Sequence, residues 1–209
     1  MKKMLYVFVF VMPVITVAAT DKSWDFEVLL NDEKIGDHRF VLKNDGKSEK
    51  VFVKARFDVK FLFFTAYQYE HSNIEFWSNG CLSSLQSVTD DNGDQYTVNA
   101  SKLQSKLSVL VNNTTTQIDD ECIRTFAYWD QSILQSTKLL NSQNGIYMPV
   151  NVVNVGQVDY ELKGSSVLAD HYKIISEKFT VDLWYSSQGD WLGLASTTED
   201  GHRLDYRLR

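Results

Sequence analysis

The feature that most restricts this chain is an alternation of apolar and polar residues with period two, interrupted at roughly ten-residue intervals by turn chemistry. Trp24, Phe26, Val28 and Leu30 point one way while Asp25, Glu27 and Leu29 point the other, as in a half-buried strand. Asn31-Asp32-Glu33-Lys34 is a turn, and 35–42 is a return strand in which Gly36 predicts a bulge or a close backbone approach. Asn44-Asp45-Gly46 is a hairpin signal, and 51–60 is a long alternating strand. Further strands are read over 81–89, 96–99, 103–111, 114–118, 146–155, 158–162, 167–175, 179–185, 191–198 and 203–208. Asp90-Asp91-Asn92-Gly93-Asp94 has the acidic look of a calcium loop but lacks its length and terminal glutamate, so it is read as a plain turn. The expected fold is mainly β: a single antiparallel, strongly curved sheet or open β-barrel with one short helix, forming one domain over 20–209.

Three stretches depart from the alternation. Phe61-Leu62-Phe63-Phe64 is a continuous apolar run, either buried on both faces or forming a lip that touches something outside the domain. From Tyr67 to Trp77 neither side is clearly apolar, with Tyr67, Tyr69, His71, Asn73 and Glu75 on one and Gln68, Glu70, Ser72, Ile74 and Phe76 on the other. This strand is expected where a sheet face is wet. Glu121–Gly145 holds the helix candidate. Thr125–Trp129 reads as a strand, Asp130 as the cap of a short helix through Gln135, and Lys138–Asn141 as a return to the sheet before a turn at 142–145. Pro149 fits an edge or a bulge.

Residues 1–19 are expected to be a signal peptide. Lys2 and Lys3 precede the apolar run Met4–Val17, and Val17-Ala18-Ala19 offers small residues for cleavage. The run is short for a membrane span and Pro13 interrupts it. No other stretch approaches the roughly 18 apolar residues a spanning helix needs. The expected location is therefore the periplasm or the exterior. Removing two lysines from 21 basic and 27 acidic residues leaves 19 against 27. Such a chain is a poor nucleic-acid binder, because neutralising phosphates dominates that affinity. Cys81 and Cys122 form an even pair, which an oxidising compartment favours as a disulfide, the alternative being two buried thiols.

His38, His71, His171 and His202 show no metal-ligand spacing, and HExxH is absent. No GxSxG elbow, SxxK, Cys-His signature or phosphate-cradling glycine loop appears. No catalytic residue, metal or cofactor is therefore assigned. What stands out is aromatic density, and ten residues form the candidate ligand-binding set: Phe61, Phe63, Phe64, Tyr67, Tyr69, His71, Trp77, Phe126, Tyr128 and Trp129. The leading expectation is a non-enzymatic protein that binds an apolar small molecule or lipid in a curved-sheet cavity. A second is an envelope hydrolase or metal-dependent enzyme around His38, His71 and Glu75, which requires neighbouring strands to bring them together. A third is an envelope assembly partner that docks through Phe61–Phe64.

The elements W-x-F-E-V-x-L-N-x-x-x-I-G-x-H-R-F (24–40), Y-x-Y-x-H (67–71), W-x-x-G-C-L (77–82), C-x-x-T-F-A-Y-W (122–129), L-L-N-x-Q-x-G (139–145), L-W-Y (183–185) and Y-R-L (206–208) run through nearly the whole mature chain. Together they resemble a secreted bacterial domain-of-unknown-function family, number 6134. The resemblance carries no established activity or catalytic residues. It implies a single periplasmic β-rich domain in which both cysteines recur, which strengthens the disulfide reading.

Overall fold

The computed structural model describes residues 21–61, 64–198 and 201–209; the segment read as a signal peptide lies outside them. The strands are β1 (Lys22–Leu30), β2 (Glu33–Asn44), β3 (Glu49–Phe61), β4 (Phe64–Ser78), β5 (Cys81–Asp91), β6 (Asp94–Leu103), β7 (Lys106–Val111) and β8 (Thr114–Ile118). After an insertion, β11 (Asn151–Leu162), β12 (Ser165–Ile175), β13 (Phe179–Tyr185), β14 (Trp191–Thr198) and β15 (Arg203–Leu208) follow. These thirteen strands form one antiparallel sheet in the order β11-β12-β13-β14-β15-β1-β2-β3-β4-β5-β6-β7-β8. Every pairing but one is between strands adjacent in the chain. The exception is β15 against β1, where Val28 faces Tyr206.

The sheet is strongly curved and does not close. Phe40 on β2 and Trp191 on β14 lie three strands apart in the order, about 14 Å across a flat sheet. Their ring centroids are nevertheless 5.1 Å apart, so the sheet has rolled its inner face around them. Phe26 completes this cluster, 4.8 Å from Trp191 and in edge contact with Phe40. The alternation explains the sidedness: Trp24, Phe26 and Val28 are all buried on the concave face.

Turn chemistry sits where the sequence puts it. Asn31 and Asp32 both adopt positive φ in the β1–β2 hairpin, the conformation a tight turn between right-twisted strands demands. Gly36 serves both roles expected of it. The β1–β2 register slips between Val28, opposite Gly36, and Leu29, opposite Lys34. A Cβ at 36 would lie 1.9 Å from the Arg56 carbonyl oxygen. Gly36→Ala is thus expected to destabilise the fold by roughly 1–3 kcal/mol through overpacking against backbone. A urea midpoint within error of wild type, at equal slope, would rule this out.

The insertion between β8 and β11 folds onto the concave face. It carries a single 3₁₀ turn (Gln131–Gln135), capped by Asp130, whose side chain accepts from the Ser132 N–H. Its two short strands, β9 (Lys138–Leu140) and β10 (Tyr147–Pro149), form a separate two-stranded sheet, and Leu140 bridges Thr125 within the insertion. Lys138–Asn141 therefore does not return to the main sheet. Leu139 and Leu140 are both fully buried, and the Leu140 N–H donates to the Arg124 carbonyl within the insertion itself. Pro149 falls at an edge position, as expected. The Ile123 carbonyl accepts from the Leu82 N–H, and the Cys81–Cys122 disulfide beside it joins the insertion to the start of β5.

Candidate functional site

The insertion fills one end of the rolled sheet and leaves the other hollow. The cavity has a volume of about 640 Å³. Its outer rim comes from one end of the strands: Leu30 closes β1, Ile35 lies near the start of β2, Val59 near the end of β3, and Leu204 near the start of β15. Toward the opposite end Trp24, Trp77, Leu82 and Trp191 are buried in the core. The inner wall is mainly aromatic and aliphatic, with Phe40, Val53 and Phe57 facing Phe179, Leu194 and Tyr206. The insertion supplies the roof through Phe126, Tyr128 and Trp129. It is held there by the Tyr185 hydroxyl, which donates to the Tyr128 carbonyl at 2.8 Å, and by contact of Phe126 with Phe179.

One stripe of this wall is polar. On β4 the inward face carries Tyr69, His71, Asn73, Glu75 and Trp77, all buried, so the face expected to be wet is interior. The reason lies in distant sequence. Ser87 and Thr89 on β5 donate to the carbonyls of Ser142 and Gln143, and Thr89 Oγ1 also lies 2.8 Å from His71 Nδ1. The stripe binds the backbone of the insertion, which needs partners once buried. At its inner end Glu75 accepts from Asn73 Nδ2, Trp77 Nε1 and Thr125 Oγ1 at 3.2, 2.9 and 3.1 Å. Burial pushes its carboxyl up to about 7, against the pull of those three bonds.

The register puts His38, Ala55, His71 and Thr89 on one rung, so the two histidines flank the small Ala55 at roughly 10 Å between backbones. Burial lowers the pKa of His38 to about 3, with His71 a lesser cause, and lowers that of His71 to about 4. Both rings are neutral at physiological pH. His38 stacks on Phe40 at 4.2 Å, and among the described residues neither of its ring nitrogens has a hydrogen-bond partner.

Of the candidate ligand-binding residues, Tyr67, Tyr69, His71, Phe126, Tyr128 and Trp129 line the cavity. Trp77 does not. It lies toward the opposite end, committed to Glu75, and borders a separate polar groove with Lys22 and Glu49. The Phe61, Phe63 and Phe64 side chains lie outside the described residues. Glu75 does not join the histidines, since it sits four residues from His71 along β4, about 13 Å away. Among the described residues no three His, Cys, Asp or Glu side chains group as metal ligands. The sequence reading missed the far wall, Phe179, Leu194, Leu204 and Tyr206. The signal was the alternation in β13–β15, which faces β2–β4 only because β15 pairs with β1.

A rolled, unclosed antiparallel sheet around a hollow interior defines a β-barrel-like protein, here with its chamber roofed by an insertion. The chain belongs to the family described as domain of unknown function DUF6134, whose model matches residues 26–209. Among solved structures it is similar to the β-barrel-like protein of domain of unknown function DUF1849 from Brucella abortus, with a TM-score of 0.64 and 9% identity over 90% of this chain and 94% of that one. At that identity the likeness is one of fold. No curated protein matches the chain. Among the described residues no helix is long and apolar enough to cross a membrane.

Proposed function

We propose that the protein is a non-enzymatic carrier of the bacterial periplasm that binds an apolar, lipid-like molecule inside the rolled sheet. The observation that carries this reading is the cavity itself: about 640 Å³ left open between aromatic and aliphatic walls, whereas the groove at the other end is lined mainly by polar residues. That volume lies within the range of small-molecule sites, roughly 300–1,000 Å³. An unfilled apolar space forfeits packing energy, so a sequence that keeps one open has a use for it. The envelope location rests on Lys2-Lys3 and the apolar run that follows.

Native mass spectrometry of protein taken from a periplasm is expected to show extra mass, lost on denaturation and recovered as lipid. An apolar fluorescent dye should bind saturably. Val59→Trp, at the half-buried rim of the cavity, should weaken dye binding at least tenfold with little change in melting temperature. A bare native mass together with no dye binding would end the carrier reading.

A further inference from the structure

We propose that the ligand is an uncharged amphiphile bearing a hydroxyl group, and that it enters with this hydroxyl innermost, held by His38 and Asn73. The inference rests on the carrier reading above and adds the chemical class of the ligand and its orientation.

His38 Nδ1, His38 Nε2 and Asn73 Oδ1 are the buried side-chain atoms without a partner among the described residues. Buried polar groups are otherwise paired almost without exception. All three belong to residues that line the cavity, and they sit on successive inward positions: His38 shares its rung with Ala55, and Asn73 shares the next with Phe40 and Val53. Asn73 keeps its carbonyl unmet for as long as its Nδ2 donates to the ionised Glu75 carboxyl.

A neutral imidazole offers one N–H donor and one lone-pair acceptor, and an amide carbonyl is an acceptor. Two of the three unmet groups thus require a donor and one requires an acceptor. A ligand hydroxyl gives and takes at once, so it can answer the imidazole N–H and one of the acceptors. A ketone or ester carbonyl can answer only the N–H. A carboxylate or phosphate likewise only accepts, and it would lie desolvated against an imidazole that burial keeps neutral, a costly arrangement for any ion. Of lysines and arginines, the described residue that lines the cavity is Lys178, in the β12–β13 connection at the outer rim. An ionised head group therefore has no described positive partner on the inner wall. Ala55 separates the two histidines on their rung, and the turn that would present a His38 nitrogen to the ligand is about the ring's broad terminal torsion. The phenols of Tyr128 and Tyr206 line the same wall.

The test is competition for the bound dye by three twelve-carbon probes, dodecanol, dodecane and laurate, at pH 7.5 on the mature protein. Dodecanol is expected to displace the dye at a concentration at least tenfold below either of the others. His38→Phe, which keeps an aromatic ring on Phe40 and removes both nitrogens, should erase that preference while dodecane binds as before and the melting temperature stays or rises. His38→Gln, which keeps a donor and an acceptor, should retain part of the preference. Equal or better displacement by dodecane or laurate overturns the proposal and leaves the carrier reading standing, as does an undiminished preference in His38→Phe. Failure of the dye to bind at all removes both.

Discussion

Glu75→Gln should be more stable than wild type at pH 8, by about 3 kcal/mol, and no more stable at pH 4. The carboxyl is fully buried, and its pKa is raised from 4.5 to about 7. A group held above its unfolded pKa binds its proton more tightly in the folded state. Its contribution is fully present below 4.5 and is lost as the pH rises through 7. At about 1.4 kcal/mol per pH unit of displacement, the loss comes to the figure above. The amide avoids this without leaving a donor stranded. Its carbonyl accepts from Trp77 and Thr125 as the carboxylate does, and its NH₂ donates to Asn73 once that side chain turns its idle oxygen inward. Denaturant unfolding of both proteins at several pH values tests the point. Parallel stability curves for variant and wild type would mean that Glu75 does not carry the penalty.

The histidines act in the opposite sense, which is why the difference between the two proteins is the useful quantity. His38 and His71 are depressed to about 3 and about 4 from 6.5. Their contributions are present above 6.5 and lost as the pH falls through those values. Wild type therefore meets two gradients that oppose each other between 4.5 and 6.5. Glu75→Gln removes one and exposes the acid limb alone.

That Glu75, His71 and Asn73 face inward is what the local sequence could not reveal. The alternation assigns them to one side of β4, and the other side, with Ile74 and Phe76, looks no less apolar. The decision is made by the carbonyls of Ser142 and Gln143, more than fifty residues away, which Ser87 and Thr89 capture on the neighbouring strand. Lys138–Asn141 was misplaced because its backbone is satisfied within the insertion, and Trp77 because its indole is claimed by Glu75, two residues back on the same strand. What was legible was local. Asn-Asp and Asn-Gly turns, the Asp130 cap and the close approach at Gly36 all follow from the conformational range of single residues. The rolled sheet was legible as a class because a long meander with one consistently apolar face has to curl around something. His38 and His71 were paired conditionally, on their strands being neighbours. They are separated by β3, yet share a rung because both hairpins keep register through Ala55.

Replacing both cysteines, Cys81→Ser with Cys122→Ser, should lower stability by roughly 3–4 kcal/mol, the chain-entropy value for a closed loop of this length. The two residues are 41 apart in sequence, with Cα atoms 5.0 Å apart. The loss should be uneven. The disulfide fastens the entry of the insertion to the start of β5, and behind it, among the described residues, side-chain bonds tie the insertion to the sheet at Ser87 to Ser142, Thr89 to Gln143, Thr125 to Glu75 and Tyr185 to Tyr128. The strands β1–β4 are tied instead by continuous ladders and the Phe26–Phe40–Trp191 cluster. Amide exchange in the variant should therefore quicken first over 122–150, ahead of those strands, as a segment with few anchors opens at lower free energy than the body of the sheet. Because this segment forms the cavity roof, dye affinity should fall before the fold is lost. An unchanged melting temperature would show that the link contributes no net stability, and exchange that accelerates equally everywhere would show that it acts through the unfolded chain while packing holds the roof.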